Sequence, residues 1–158
     1  MRVEKGGGAW CPRPAIQHNV REWIEVALPG HNQHQPHLIV ASETQGRFGN
    51  GQGQEFAEAF IIEYWRHEIG RWVTYKSATG HQILSGNTNP WLAAMQQLDH
   101  PIVAERIRFL PYSHHPRTTC MRVEVYGCPW TGNNHQSIII HRHTYRHATI
   151  IHSCHFIH

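Results

Sequence analysis

Short stretches of alternating polar and apolar residues, separated by glycine and proline, constrain the fold of this chain most strongly. Residues 22–28 alternate in this way, Pro29 and Gly30 follow them, and residues 38–41 form a short apolar run. Successive side chains of a strand point to opposite faces, so this alternation predicts half-buried strands. Several such stretches without a convincing amphipathic helix predict an all-β sandwich or jelly roll.

The segment 56–65 is the one ambiguous element. Its alanines and glutamates permit a helix, but Phe60, Ile62 and Tyr64 alternate as they would in a strand. We assign a strand, because residues 70–75 follow as a plausible hairpin partner. Ile83-Leu84 precedes a turn at Gly86-Asn87, and the two further predicted strands are 103–110 and 121–126.

Tryptophans lie in or beside several predicted strands. Because buried aromatic side chains dominate the energetics of a core, we expect Trp23 and Trp72 to pack between the sheets. Trp10 stands on a loop beside Cys11, where it is expected to pack under a binding surface. Trp91 and Trp130 receive no role.

Composition limits the function classes. A chain of 158 residues is long enough for one domain with a core, and its net charge of +3 does not indicate nucleic-acid binding. The sequence has no glycine-rich phosphate loop with its lysine and no HRD or DFG segment, so no kinase activity is expected. We predict no secretory signal at residues 1–5 and no transmembrane segment.

The four cysteines are widely spaced, at Cys11, Cys120, Cys128 and Cys154. No pair has the C-x-x-C spacing of a zinc or redox motif. An even number of separated cysteines favours disulfides and an oxidising compartment.

Four segments, in this order and spacing, resemble a discoidin domain (coagulation factor V/VIII type C). They are Gly8-Ala9-Trp10-Cys11-Pro12, Thr44-Gln45-Gly46-Arg47, Ile83-Leu84-Ser85-Gly86-Asn87 and residues 120–128. The likeness is to the collagen-binding domain of the discoidin domain receptors, which are receptor tyrosine kinases. It implies a discoidin-type β-sandwich, galactose-binding-like, over residues 8–131, with residues 1–7 outside the domain. In the family a first strand precedes the Gly8 position, so the domain is expected to lack that strand.

The resemblance also implies how the cysteines pair. Cysteines at the positions of Cys11 and Cys120 form a disulfide in the family. The family partner of Cys128 belongs to the first strand, upstream of Gly8. Cys128 and Cys154 are therefore predicted to be unpaired or mispaired, for instance with each other.

A ligand site follows from the same resemblance. In the collagen binders, an arginine directly after Thr-Gln-Gly and a glutamate directly before Phe lie at the ligand trench; the matching residues here are Arg47 and Glu55. Trp10 and Thr118 complete the predicted site, although the collagen binders carry Asn at the position of Thr118 and an acidic residue at that of Gly7. An Arg–Glu pair can fix a loop and also reach a ligand. The alternative is a surface salt bridge worth less than about 1 kcal/mol.

The implied function is extracellular binding of a fibrillar collagen triple helix as part of a membrane receptor, with no cofactor and with possible homodimerisation. Three alternatives remain open: a module for glycans or anionic phospholipid, a non-functional truncated product, and a His-based metal-dependent enzyme. Lipid-binding relatives project apolar residues from loop tips, and loop 48–54 offers only Phe48.

The C-terminal part, residues 132–158, differs in composition. It is rich in histidine, contains no acidic residue and has no proline or glycine after Gly132. We predict an irregular, disordered tail with a boundary near Thr131. His141 and His143, or His152 and His155 with Cys154, could bind zinc, but their spacing matches no zinc template, so no metal site is predicted.

Overall fold

The computed structural model describes residues 8–132 and the backbone of two later strands, residues 142–145 and 148–151. These residues form ten β-strands. They are β1 (Ile24–Ala27), β2 (His37–Gln45), β3 (Ala59–Trp65), β4 (Val73–Thr74), β5 (Ile83–Ser85), β6 (Ala94–Ala104), β7 (Arg106–Tyr112), β8 (Arg122–Pro129), β9 (Arg142–Tyr145) and β10 (Ala148–Ile151). In this described part of the chain, no helix is long and apolar enough to cross a membrane.

The strands form two sheets. The first has the order β1-β7-β3-β4, with β5 also paired to β3, and the second has the order β6-β2-β8-β10-β9. Neighbouring strands are antiparallel except β8 and β10, which are parallel. The predicted all-β sandwich is confirmed, and so is the assignment of a strand, paired with β4, within residues 56–65.

The core lies between the sheets, where the inward residues of each strand meet. Phe60 of β3 and Phe109 of β7 are completely buried, and their ring centroids are 5.9 Å apart. From the second sheet, Ile39 of β2 and Val125 of β8 face them in the same apolar cluster. The alternating pattern of these strands therefore reports their inner faces.

The predicted strand 103–110 is wrong in its extent, because the chain changes sheets at Glu105. β6 ends at Ala104 in the second sheet, and β7 begins at Arg106 in the first. The backbone of Glu105 is held at this corner by a bond from its N–H to the Trp65 carbonyl (2.8 Å) and another from the Leu28 N–H to its own carbonyl (2.9 Å). The first part of β6 was not predicted from the sequence. Because β6 is an edge strand, it tolerates polar residues and Pro101, which obscure the alternating pattern.

The predicted packing of Trp23 and Trp72 between the sheets is also wrong. Both contact arginines on the outer face of the first sheet: the Arg108 guanidinium carbon lies 4.5 Å from the Trp23 ring centre and 3.7 Å from that of Trp72. Arg108 points outward because its neighbours Ile107 and Phe109 occupy the core. Cation–π stacking takes the place of burial for these rings, and Trp23 stays 44% exposed.

Within the tail predicted to be irregular, two segments are strands, β9 and β10. β10 pairs with β8 from Ala148–Val123 to Ile151–Tyr126, and β9 pairs with β10. Residues 148–151 are rich in β-branched side chains, which favour a pleated strand. This pairing makes β8 an interior strand, between β2 and β10. Apart from Gly132, the other residues of the predicted tail lie outside the described part.

Candidate functional site

The sequence-predicted ligand residues lie at one end of the sandwich. Gln45, the last residue of β2, pairs with Arg122, the first residue of β8. The preceding residue, Met121, bridges to Trp10 through two backbone hydrogen bonds of 2.8 and 3.0 Å. The loops that carry Trp10, Arg47 and Thr118 therefore leave the sheets at the same end.

A disulfide joins Cys11 to Cys120 at this end, as the resemblance implied. Cys120 is buried and Cys11 is exposed, so the bond ties an outer loop to the residue just before Met121. It closes a loop with a sequence separation of 109 residues. Cys128 is also disulfide-bonded, which leaves the second of the two predicted alternatives, pairing with a cysteine other than its family partner; the cysteine bonded to it lies outside the described residues, as does Cys154.

Arg47 and Glu55 are held together by backbone and side-chain contacts. The Arg47 N–H donates to the Glu55 carbonyl at 2.8 Å, and Nη1 of Arg47 lies 3.5 Å from Oε1 of Glu55. The second carboxylate oxygen, Oε2, accepts the Gln54 N–H at 3.0 Å. The Arg47 side chain is 43% exposed, so its guanidinium can donate to a ligand while it keeps this partner.

Gly46 explains why the turn before Arg47 needs glycine. A Cβ atom at this position would stand 2.6 Å from the Glu55 carbonyl oxygen and from Cβ of Phe56, and 2.8 Å from Cα of Pro90. The Gly46 carbonyl accepts a hydrogen bond from Nε of the buried Arg122 at 3.0 Å. The turn that presents Arg47 is therefore packed against the later part of its own loop and against the loop that carries Pro90, and it is hydrogen-bonded to β8.

Trp10 and Thr118 take different positions at this end. Trp10 is half-buried and packs against the main core cluster, so it lies between the core and the surface at this end. Thr118 is exposed two residues before Cys120. Its neighbour Arg117 pairs with Glu58, and the guanidinium carbon of Arg117 lies 4.8 Å from the centre of the Phe56 ring.

The sequence interpretation missed a second loop of this surface, residues 86–93 between β5 and β6. Trp91 is 53% exposed and Leu92 60%, and the Trp91 ring meets the Phe48 ring edge-on at 6.3 Å. Phe48 was predicted from loop 48–54 alone, and this second loop adds two further exposed apolar side chains beside it. The signal was present in the sequence: two large apolar residues directly follow Asn89-Pro90, which marks an exposed turn.

This end of the molecule thus combines a partly exposed Arg–Glu pair with exposed aromatic and aliphatic side chains. Such a surface can donate and accept hydrogen bonds at its polar part and bury apolar groups beside it. Within residues 8–132, no group of three His, Cys, Asp or Glu side chains is arranged to hold a metal ion.

Comparison with known proteins agrees with this architecture. The family model of the F5/8 type C domain matches residues 2–125. Discoidin domain-containing receptor A of Caenorhabditis elegans is 43% identical over 139 residues, which are 88% of this chain and 17% of the receptor. Epithelial discoidin domain-containing receptor 1 of Homo sapiens is 35% identical over 130 residues, which are 82% of this chain and 14% of the receptor. The chain thus spans about one sixth of the length of these relatives.

Among solved structures, discoidin II from Dictyostelium discoideum superposes with a TM-score of 0.59 at 19% identity. The match covers 85% of this chain and 46% of discoidin II. It identifies the fold as the discoidin β-sandwich.

Proposed function

Since the chain belongs to the F5/8 type C domain family, a non-catalytic binding fold, we propose that it binds the triple helix of fibrillar collagen through the end that carries Arg47 and Glu55. The proposal places this domain on the extracellular side of a membrane receptor, as the discoidin domain receptors resembled by the sequence imply. Collagen-triggered signalling would then require the remainder of such a receptor.

The observation that carries the proposal is the Arg47–Glu55 pair. Its members are joined by a 2.8 Å backbone bond and a 3.5 Å side-chain contact, and the guanidinium stays partly exposed. The collagen triple helix has solvated backbone and outward side chains, so a receptor needs fixed polar groups on rigid loops. Arg47 supplies donors for ligand carbonyl or carboxylate oxygens, and Glu55 keeps the guanidinium oriented.

The direct test is binding of the 158-residue chain to immobilised native fibrillar collagen, with heat-denatured collagen as the comparison. We expect binding to the triple helix and loss of at least about tenfold in affinity for Arg47→Ala, since charge-assisted contacts at the centre of an interface are typical hot spots. Arg66→Ala is the matched control, because Arg66 also pairs with a glutamate, Glu68, in a part of the chain remote from this end.

A folded wild-type chain that does not distinguish native from denatured collagen would contradict the proposal. Equal binding by Arg47→Ala and the wild type would move the site away from this loop. Binding to phosphatidylserine vesicles in place of collagen would favour the lipid-binding alternative, and glycan-array binding would favour the carbohydrate alternative.

A further inference from the structure

An exposed apolar surface lies directly beside the Arg47–Glu55 pair. It consists of Phe48, Trp91 and Leu92, called here the aromatic rim. Phe48 follows Arg47 in the chain, and the centres of the Phe48 and Trp91 rings are 6.3 Å apart. The rim is therefore adjacent to the polar site, and its two loops are in contact through these rings.

The loop that carries Trp91 and Leu92 is held in place by hydrogen bonds. Oδ1 of Asn89 accepts the N–H groups of Trp91 and Leu92 at 3.2 and 2.7 Å. Nδ2 of Asn87 donates to the Leu92 carbonyl at 2.8 Å, and Nε2 of Gln45 donates to the Trp91 carbonyl. A side chain held in advance loses less conformational freedom when it binds, so this loop presents its apolar residues at low entropic cost.

Charges around the rim are compensated within the protein. Arg47 pairs with Glu55, and Arg117 pairs with Glu58. An anionic lipid surface attracts an excess of basic side chains, which these neutral pairs do not provide. Exposed apolar residues surrounded by compensated polar groups are instead the composition of a protein-binding hot spot with its polar border.

We infer that the aromatic rim determines specificity, because it takes an apolar side chain of the triple-helical ligand held at Arg47 and Glu55. The inference rests on the proposed function. In a polyproline-type chain with three residues per turn and a rise of 3.1 Å, equivalent side chains recur about every 9 Å. A rod engaged at Arg47 therefore carries further outward side chains along its length, and an apolar one beside the polar contact meets Trp91.

The experiment uses the full 158-residue chain and overlapping triple-helical peptides that cover a fibrillar collagen. Each apolar residue of the tightest-binding peptide is then changed to Ala, and every peptide is titrated against the wild type and Trp91→Ala. For the wild type, we expect one of these peptide changes to weaken binding by about tenfold. For Trp91→Ala, the same peptide change has less than about a twofold effect, because its contact is already gone.

Trp23→Ala is the matched control, since Trp23 is an exposed tryptophan that stacks on Arg108, away from the rim. It is expected to keep the wild-type preference. Thermal unfolding of Trp91→Ala confirms that the variant folds, and a second variant, Phe48→Ala, tests the same rim from the other loop.

The inference fails if Trp91→Ala and Phe48→Ala keep the wild-type preference while Arg47→Ala abolishes binding; the proposed function then stands alone. Absence of binding to every triple-helical peptide and to native collagen overturns both. If Trp91→Ala instead abolishes binding to phosphatidylserine vesicles or self-association of the chain, with peptide preference unchanged, a lipid or a second copy occupies the rim.

Discussion

At the scale of single residues, the candidate site depends on how closely its loops approach one another. Gly46 allows its backbone to pack so closely against Glu55, Phe56 and Pro90 that any Cβ atom at this position would overlap atoms of all three. Arg122 fixes this arrangement from β8 through the Gly46 carbonyl. The position of Arg47 thus depends on Gly46, which has no side chain, and on the buried guanidinium of Arg122. Neither of these two residues needs to contact the ligand.

Gly46→Ala is expected to destabilise the fold by about 1–3 kcal/mol, because the added Cβ overlaps backbone atoms that cannot rotate away. It should also weaken ligand binding, since Arg47 moves with the loop. Chemical denaturation measures the first effect, and collagen titration the second. Gly80→Ala is the control: its Cβ meets nothing within 4 Å, so it carries only the cost of a φ of +83°. Equal effects of the two variants on binding would contradict the role of Gly46.

At the scale of elements, the loop after β2 and the loop 86–93 form one surface because side-chain hydrogen bonds connect the end of β2 to the loop 86–93. Asn87 is buried, donates from Nδ2 to the carbonyls of Thr44 and Leu92, and accepts the Thr44 hydroxyl at 2.9 Å. Asn87 therefore connects the end of β2 to the loop that carries Trp91.

Asn87→Ala leaves the buried carbonyl of Thr44 and the carbonyl of Leu92 without this donor, at an expected cost of about 1–3 kcal/mol. Hydrogen exchange should show faster exchange of the amides at Trp91 and Leu92 than in the wild type, because the loop is no longer fastened to β2. Gln82→Ala, a change at an exposed residue just before β5, serves as control. Unchanged exchange in Asn87→Ala would mean that Asn89 and Gln45 alone hold the loop.

At the scale of the whole molecule, the two sheets are linked by the core and by a strand that crosses between them at Glu105. The carboxylate of Glu105 is buried and accepts the His67 N–H at 2.8 Å, which fixes the corner at the end opposite to the ligand loops. The Cys11–Cys120 bond fixes the ligand end. The sandwich is thus closed at each end by a different kind of contact.

Replacement of Cys11 and Cys120 by serine is expected to lower the free energy of unfolding by about 2–5 kcal/mol, because the bond restricts a loop of more than a hundred residues in the unfolded chain. Denaturant unfolding of the double variant measures the loss. Arg47→Ala is the comparison, since an exposed pair contributes less than about 1 kcal/mol. A double variant as stable as the wild type would show that core packing alone holds this end.

The sequence predicted the elements whose pattern reflects one buried face. β1, β3 and β8 were found from their alternating sequences; in β1 and β3 the alternation reflects one more buried face, whereas β8 is buried on both faces along almost its whole length. The corner at Glu105 was missed because polar edge positions of β6 carry no alternating signal. Trp23 and Trp72 were misplaced because hydrophobicity alone does not say which face of a sheet offers a cationic partner.

The order of motifs around Arg47, Glu55, Cys11 and Cys120 was enough to indicate the family and to select residues of the candidate site. Their joint position at the end of the sandwich, and the exposure of Trp91 and Leu92 beside them, depends on the pairing of β2 with β8 and on the contacts of Asn87. Residue identity fixes what a side chain can bind, because its donors, charge and apolar area are local. Which side chains meet, and which remain exposed, is decided by contacts between segments distant in sequence, and these exist only in the tertiary structure.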